Sequence, residues 1–354
     1  MSNITDIDKN LKVETDIVRD GLVFKSALDE SFKLYGIYHD TKQFRRLPDD
    51  VASNTSPAVK KLATNTAGGR LRFVTNSPYI VIKVKLPHNT LFAHMTLTGI
   101  AGFDMYEYEN GTYTIAKSFI PYHSFTDSYE SVHDFSSGDK ERDLTINFPL
   151  YNDVYELYIG YKEGSVFKAP AEYKYDKPIV FYGSSITQGG CASRPGNAYT
   201  AIIARKYDAD HINLGFSGSA KGEAAMVDYI AGLDMSLFVL DYDHNADTNL
   251  QYEATHEPLF KSVRANHPDL PIVIMTRPKY RKKLSDAEFK RIDIAKRTYD
   301  NAVASGDKNV YFIPGYELME FAGEDGCVDF THPTDYGFFS MAKRLSEELD
   351  KILK

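Results

Sequence analysis

Two groups of polar residues could together form a catalytic site with a serine as its nucleophile. The segment Phe181–Gly190, FYGSSITQGG, places two adjacent serines after an apolar run and between glycines. The segment Cys327–Asp335, CVDFTHPTD, places Asp329 three residues before His332, so both side chains share one side of a helical turn or tight loop. Attack on an ester requires a base, an orienting group for that base and donors for the oxyanion. A carboxylate on Nδ1 of His332 would leave Nε2 facing a serine, which is the logic of a catalytic triad.

Further polar groups suited to bind an oxyanion or a substrate follow other apolar runs. Oxyanion donors are available as the backbone N–H of the serine, a glycine N–H in Asn213–Ser219 (NLGFSGS) and the side-chain amide of Asn245. Weaker candidates for substrate contacts are polar residues that follow predicted strand ends: Arg194, Asn197, Arg277 and Tyr280. Taken singly, each of these four is more often a surface or capping residue.

Short apolar runs after Pro178 predict the strands that position these groups. They lie at 179–182, 211–216, 236–240, 271–275 and 310–313, and helical patterns lie near 197–207, 223–232, 250–267, 285–304 and 334–353. Continuous apolar strands separated by helices are typical of a parallel sheet covered on both faces. Short right-handed connections favour a doubly wound, flavodoxin-like α/β sheet, whose ligands bind beyond the carboxyl ends of the strands.

The first half of the chain has a different periodicity, with apolar residues at every second position. Arg70–Leu86 alternates on both sides of an Asn-Ser-Pro turn, which predicts an antiparallel hairpin with one buried face. Thr96–Phe119 predicts a second pair of strands around the turn ENGT, and 144–166 adds two more runs. We therefore predict an antiparallel, jelly-roll-like β-sandwich over residues 1–172 and the α/β domain over residues 173–354.

Four segments in the second half resemble the conserved blocks of the GDSL/SGNH hydrolase family, in the same order. They are Gly183–Gly189, Asn213–Gly218, Asp243–Asn245 and Asp329–Pro333. The resemblance implies that Ser185 is the nucleophile, that His332 and Asp329 complete the triad, and that Gly218 and Asn245 join the Ser185 N–H in the oxyanion hole. By itself, Gly-Ser-Ser after a strand could be only a turn with a serine N-cap, so the order of the four blocks carries the identification.

The resemblance extends to the first half and also has departures. Gly102–Tyr106, GFDMY, looks like the Gly-x-Asp-Leu-Tyr motif of a β-sandwich that precedes the hydrolase domain in one branch of the family. Members with that organisation are often linked to deacylation of small or carbohydrate esters. Ser184 stands where the first block usually has aspartate, and the third block has Asp243 and Ala246 in place of its glycine and final aspartate.

The sequence is thus interpreted as a serine esterase of short-chain esters, acetyl esters above all, of carbohydrates or other small molecules. No metal or organic cofactor is expected to take part. One alternative is an acyltransferase, in which a bound alcohol instead of water captures the same acyl-enzyme. Another is a carbohydrate-binding protein on a silent hydrolase fold, against which the complete set of Ser185, Asp329 and His332 argues.

The amino-acid composition bears on which partners the protein could bind and in which cell compartment it is expected. A formal net charge of -8 disfavours nucleic-acid binding, the first residues lack the pattern expected of a signal peptide, and no apolar stretch reaches membrane-spanning length. A cytoplasmic protein that binds no membrane is expected, and an oligomer is possible. From the sequence, Cys191 and Cys327 are expected to form neither a disulfide framework nor a zinc site and to be small buried residues. His256 and His267 resemble no ligand pair and are expected to face solvent.

Overall fold

A computed structural model describes residues 15–87, 91–122 and 125–353 of the chain. Its first half is built from antiparallel strands: β1 (Leu22–Ser26), β2 (Lys33–Tyr35), β3 (Tyr38–His39), β4 (Phe44–Arg45), β5 (Arg70–Thr75), β6 (Tyr79–Lys85), β7 (Phe103–Glu109), β8 (Thr112–Phe119), β9 (Ser128–Asp134), β10 (Arg142–Asn147), β11 (Glu156–Lys162) and β12 (Phe167–Lys168). A four-stranded sheet has the order β1-β11-β6-β9, and a six-stranded sheet has the order β12-β5-β10-β7-β8 with β2 also on β5. The predicted antiparallel β region is present.

The predicted hairpin over Arg70–Leu86 is wrong. Strand β5 pairs with β10 in the six-stranded sheet, whereas β6 pairs with β9 and β11 in the other sheet. The chain therefore crosses between sheets at Asn76–Pro78, where the Ser77 hydroxyl donates to the carbonyl of Tyr79. Alternation could not reveal this, because a strand with one buried face has the same pattern in either sheet.

The second predicted pair of strands is confirmed in part. Strands β7 and β8 are antiparallel neighbours. Between them Asn110 and Gly111 have φ of 51° and 80°, as a tight hairpin turn with two left-handed residues requires. The start of that run is not a strand, however. It forms a short helix, Leu97–Ile100, whose first turn is capped by the Thr96 side chain accepting from the N–H of Gly99.

The second half contains a five-stranded parallel sheet. Its strands are β13 (Ile179–Gly183), β14 (His211–Gly215), β15 (Leu237–Asp241), β16 (Ile272–Met275) and β17 (Val310–Ile313), in the order β14-β13-β15-β16-β17. This is the flavodoxin-like order 2-1-3-4-5. All residues of β13, β15 and β16 are buried, which explains their uninterrupted apolar sequences.

Helices cover both faces of that sheet and also connect it to the first half. They are, in chain order, α1 (Asp49–Thr55), α2 (Pro57–Leu62), α3 (Leu97–Ile100), α4 (Ser185–Gln188), α5 (Tyr199–Tyr207), α6 (Ala224–Ala231), α7 (Asn249–Asn266), α8 (Asp286–Ala304), α9 (Gly315–Leu318) and α10 (Asp335–Ile352). No helix in the described part of the chain is long and apolar enough to cross a membrane.

Helices α1 and α2 come from the first half of the chain but pack with the parallel sheet. Ala52 and Val59 belong to the same buried cluster as Val180 of β13, and α1 packs against α6. Just before them, the buried Arg46 donates to the carbonyls of Asn213 and Gly215 at 3.0 and 2.7 Å. The type of sheet thus changes between β12 and β13, while side-chain packing connects the two halves of the chain.

His256 and His267 do not face solvent, so that prediction is wrong. His256 in α7 is fully buried, with Nδ1 2.8 Å from the Thr298 hydroxyl, and burial lowers its pKa to about 3. Its ring packs against Tyr242 and Tyr252. His267 is half-buried, with Nε2 2.9 Å from the carbonyl oxygen of Ala231. His256 lies four residues after the buried Tyr252, and this spacing places both side chains on the same buried face of the helix.

Candidate active site

The two serines that follow β13 have different environments. Ser184 is 1% exposed, and its hydroxyl accepts from the N–H of Ile186 at 3.2 Å, so it caps the short helix α4. Ser185 is the first residue of that helix and is 8% exposed. The helix lies close to the sheet: a Cβ on Gly215 would come within 2.1 Å of the Gln188 backbone nitrogen. Glycine in β14 therefore permits the approach that brings Ser185 to the edge of the sheet.

Asp329, His332 and Ser185 form a continuous hydrogen-bonded chain. His332 Nε2 lies 3.0 Å from Ser185 Oγ, and His332 Nδ1 lies 2.8 Å from Asp329 Oδ2. The other carboxylate oxygen of Asp329 accepts from the backbone N–H groups of Thr331 and His332 at 3.1 and 2.7 Å. Between them Phe330 has a φ of 62°, a left-handed conformation that tightens this loop. The loop thus keeps the Asp329 carboxylate within hydrogen-bond distance of the His332 ring.

The protonation of Asp329 suits an orienting role. Burial acts to raise the pKa of its carboxyl group, but hydrogen bonds from the backbone and ring of His332 and from the backbone of Thr331 outweigh burial and lower the pKa. An ionised carboxylate at Oδ2 favours the tautomer of His332 with its proton on Nδ1. Nε2 is then the nitrogen that can accept a proton from the Ser185 hydroxyl.

The candidate oxyanion donors follow the two strands that flank β13. In the parallel pairing, Gly183 lies opposite Gly215 of β14 and Asp241 of β15. Gly218 then sits in a turn with a φ of 66°, and Asn245 ends a short 3-10 turn. One N–H of the Asn245 amide donates to the Phe216 carbonyl at 2.8 Å, which joins the two loops. An amide NH₂ has a second donor, which leaves one for a ligand.

A buried polar network holds the short helix α4 that begins at Ser185. The Thr187 hydroxyl donates to Asp241 Oδ2 at 3.2 Å. Burial, together with the negative charge of Asp243, raises the pKa of Asp241 well above its ordinary value. The Gln188 side chain donates to the Leu150 carbonyl at 3.1 Å and accepts from the Ser217 N–H at 3.0 Å. Helix α4 is thus fixed to the sandwich and to the β14 loop.

Sequence reasoning missed three neighbours of this site that come from the first half of the chain. The hydroxyl of buried Tyr151 donates to the Ser185 carbonyl at 3.0 Å. The ring of Phe92 packs 5.7 Å from that of Tyr151, and the exposed ring of His94 lies 5.3 Å from that of His332. No spacing or motif relates these residues to the serine, so only tertiary packing identifies them.

Two of the weaker candidates for substrate contact lie in the loop after α4 and are engaged within the protein. Arg194 donates to Asp104 and to the Tyr106 hydroxyl at 2.8 and 2.6 Å, and its side chain is 23% exposed. Asp104 is fully buried and also accepts from the N–H of Gly196. Asp104 and Tyr106 of the GFDMY motif therefore bind the loop that follows α4. Asn197 donates to Asp335 at the start of α10 at 2.8 Å.

Arg194→Met is expected to lower the free energy of unfolding by about 3 kcal/mol, because it leaves the buried Asp104 carboxylate without its cation. The double variant with Asp104→Asn should be less destabilised than the sum of the single changes. Urea denaturation measures the free energy of unfolding of both variants. The control is Lys206→Met, which removes an exposed ion pair with Asp350 and should lower that free energy by less than about 1 kcal/mol. A raised KM with unchanged stability would instead make Arg194 a substrate contact.

The other two weaker candidates, Arg277 and Tyr280, differ in their surroundings. Arg277 pairs with Glu288 at 3.0 Å and with Asp243 at 3.4 Å. Burial acts to raise the pKa of Glu288, but hydrogen bonds from Ser285 and Lys279 outweigh it and lower the pKa to about 2. Tyr280 is half-buried and lines a small cavity with Phe330. The guanidinium of Arg277 thus serves an internal ion pair, while Tyr280 is placed beside the loop that carries Asp329.

The two thiols are half-buried near the same loop. Burial, followed by the charge of Asp329, raises the pKa of Cys191 to about 12 and that of Cys327 to about 11. Neither is therefore a thiolate at neutral pH, which disfavours a catalytic thiol. Within the described residues, one trio could hold a metal ion: ligand atoms of His94, Cys191 and His332 lie within 4.8 Å of one another.

Comparisons with known proteins match both halves of the chain. Residues 176–351 match the model of the GDSL-like lipase/acylhydrolase family. Residues 22–167 match the model, termed GxDLY, of the N-terminus of SGNH-hydrolase-type esterases. A search of curated proteins found no match.

Solved structures with a similar fold cover nearly the whole chain. A protein of Bacteroides ovatus described as a GDSL-like lipase has 30% sequence identity and a TM-score of 0.83, with 94% of this chain and 98% of that chain covered. A salicylyl-acyltransferase from a tetracycline biosynthetic pathway has 19% identity and a TM-score of 0.76, with the same coverage. A family two carbohydrate esterase of Clostridium thermocellum, solved with cellohexaose, has 16% identity and a TM-score of 0.61, covering 90% and 98%.

Proposed function

The chain belongs to the family of GDSL-like lipases and acylhydrolases, and on that premise we propose that it is a serine esterase of short-chain esters. We propose acetyl as the acyl group and a carbohydrate or another small alcohol as the leaving group. The observation that carries the proposal is the hydrogen-bonded chain from Ser185 Oγ through His332 to Asp329, at 3.0 and 2.8 Å. These are the distances that a nucleophile, its base and the orienter of that base require.

In the proposed mechanism, Ser185 Oγ attacks the ester carbonyl while His332 Nε2 accepts its proton. Asp329 stabilises the imidazolium that forms, and the N–H groups of Ser185 and Gly218 with the Asn245 amide hold the oxyanion. Ser185 is the first residue of a helix, where backbone N–H groups have no partner within the helix, so its N–H is a candidate donor to the oxyanion. His332 then protonates the leaving alcohol and activates the water that hydrolyses the acyl-enzyme.

A small acyl group is supported by the crowding around the nucleophile. Ser185 is 8% exposed, and its backbone carbonyl accepts from the hydroxyl of Tyr151, whose ring packs against Phe92. We infer from this low exposure that a short acyl group fits beside Ser185 more easily than a long acyl chain. The alcohol part is assigned by analogy, because several structures with this fold are described as carbohydrate esterases.

A panel of esters tests the proposal. We expect hydrolysis of acetylated sugars and short aryl esters, with kcat/KM falling steadily as the acyl chain is lengthened. A series of p-nitrophenyl esters of increasing chain length measures the acyl preference, and acetate release from peracetylated mono- and oligosaccharides measures the alcohol preference. Faster turnover of long-chain esters than of acetate would contradict the assigned acyl group.

A transferase is the second candidate, favoured by the TM-score of 0.76 with the salicylyl-acyltransferase. The same acyl-enzyme would then be captured by a bound alcohol instead of water. Product analysis in the presence of sugar and aromatic alcohols separates the two reactions. Transfer product in excess of free acid at low acceptor concentration would favour the transferase, and free acid alone favours the esterase.

A further inference from the structure

Three potential metal ligands from distant parts of the sequence meet beside the proposed nucleophile. They are exposed His94 from the segment between β6 and α3, half-buried Cys191 from the loop after α4, and half-buried His332. One ligand atom from each lies within 4.8 Å of the other two. The rings of His94 and His332 have centroids 5.3 Å apart. The group therefore bridges the sandwich and the parallel-sheet half.

We propose that His94, Cys191 and His332 form a binding site for a thiophilic divalent cation such as Zn²⁺, and that a cation bound there switches the esterase off. Two imidazoles and a thiolate with water in the fourth position are a ligand set that tetrahedral Zn²⁺ favours. A cation held by His332 would occupy the base of the proposed triad, so we expect it to act as an inhibitor. The inhibitory effect rests on the proposed function, whereas the binding site does not.

The geometry is close to what a metal requires. Zn–N and Zn–S bonds of about 2.1 and 2.3 Å place tetrahedral ligand atoms about 3.5 Å apart. The present separation of up to 4.8 Å must therefore shrink by about 1.3 Å at most. His94 is exposed, so rotation of its side chain can supply that movement without repacking a core. Its exposure also lets a cation reach the site from solvent.

The nitrogen that a cation would take is the one the triad needs. Nδ1 of His332 is hydrogen-bonded to Asp329 at 2.8 Å, which leaves Nε2, 3.0 Å from Ser185 Oγ, as the ligand atom. A metal on Nε2 occupies the lone pair that would accept the proton of Ser185. Asp329 then orients a metal-bound imidazole, as outer-shell carboxylates do in zinc sites. On binding, the Cys191 thiol releases its proton to solvent and both imidazoles bind as neutral rings.

Co²⁺ titration tests binding without relying on activity. The folded wild-type chain should take up one Co²⁺ with a thiolate-to-cobalt charge-transfer band in the near ultraviolet. Cys191→Ser should lose that band, and Cys327→Ser, which removes the other half-buried thiol, is the matched control that should keep it. A missing band in the wild type, or a band that depends on Cys327 instead, would overturn the proposed site.

Inhibition tests the consequence for catalysis. Zn²⁺ should inhibit hydrolysis of a short aryl ester, and EDTA should restore the rate. His94→Ala, compared with its own rate in EDTA, should raise the Zn²⁺ inhibition constant at least about tenfold. An unchanged constant in that variant refutes the role of His94. If no ester is hydrolysed, the proposed function fails, while the cobalt band still reports on the metal site independently.

Discussion

Ser185→Ala is expected to lower hydrolysis of p-nitrophenyl acetate by about a millionfold while the chain remains folded, because the attacking oxygen is removed. Ser185 Oγ is the atom 3.0 Å from His332 Nε2, and alanine keeps the helix that begins there. Steady-state rates measure the loss, and circular dichroism and urea denaturation check the fold. In the same samples, a fluorophosphonate should label the wild type and leave the variant unlabelled.

The neighbouring serine provides a matched control for that experiment. Ser184→Ala removes only the helix cap that accepts from the Ile186 N–H, so it should cost about 1 kcal/mol of stability and keep most of the activity. The two variants differ by one position and remove the same atom type. Full activity in Ser185→Ala, or a millionfold loss in Ser184→Ala alone, would reverse the assignment of the nucleophile.

His332→Ala is expected to reduce activity about as far as Ser185→Ala, again by about a millionfold, because nucleophile and base act as a unit. Asp329→Asn should lose less, about ten-thousandfold, because the imidazole remains but loses the carboxylate that sets its tautomer and stabilises its positive charge. The loss should appear in kcat with little change in KM, since neither side chain is assigned to binding the ground state.

Non-additivity distinguishes a triad from independent effects. The double variant Ser185→Ala/His332→Ala should be no slower than either single variant. A loss equal to the product of the single losses would mean that the two residues act separately. A wild-type rate in either His332→Ala or Asp329→Asn would contradict the triad altogether.

The parallel sheet and its order were predictable because their signals are local. Buried parallel strands are apolar without interruption, and the five predicted runs coincide with β13 to β17 to within two residues. Chain order and right-handed crossovers then restrict the ways in which such strands can be arranged. The Asp-x-x-His spacing likewise encodes its own geometry, since both side chains belong to one short loop.

Errors arose where the answer depended on contacts distant in sequence. Strands β5 and β6 carry the alternation of a hairpin but belong to different sheets, because pairing partners are chosen by the packing of the whole sandwich. Helices α1 and α2 lie in the half predicted as sandwich but pack against the parallel sheet. His256 is polar in sequence, yet it is buried with its Nδ1 2.8 Å from the Thr298 hydroxyl, a contact 42 residues away along the chain.

By itself the sequence determined the two sheet types, the order of the parallel strands and the segments that carry Ser185, Asp329 and His332. These depend on periodicity and short spacings, which neighbouring residues encode. Only the tertiary structure decided that Ser184 caps a helix while Ser185 faces His332, 147 residues away. It also placed Tyr151 and His94 beside that pair. Such contacts form when strands and loops of the two halves pack together. No local pattern in the sequence indicates which distant residues will be in contact.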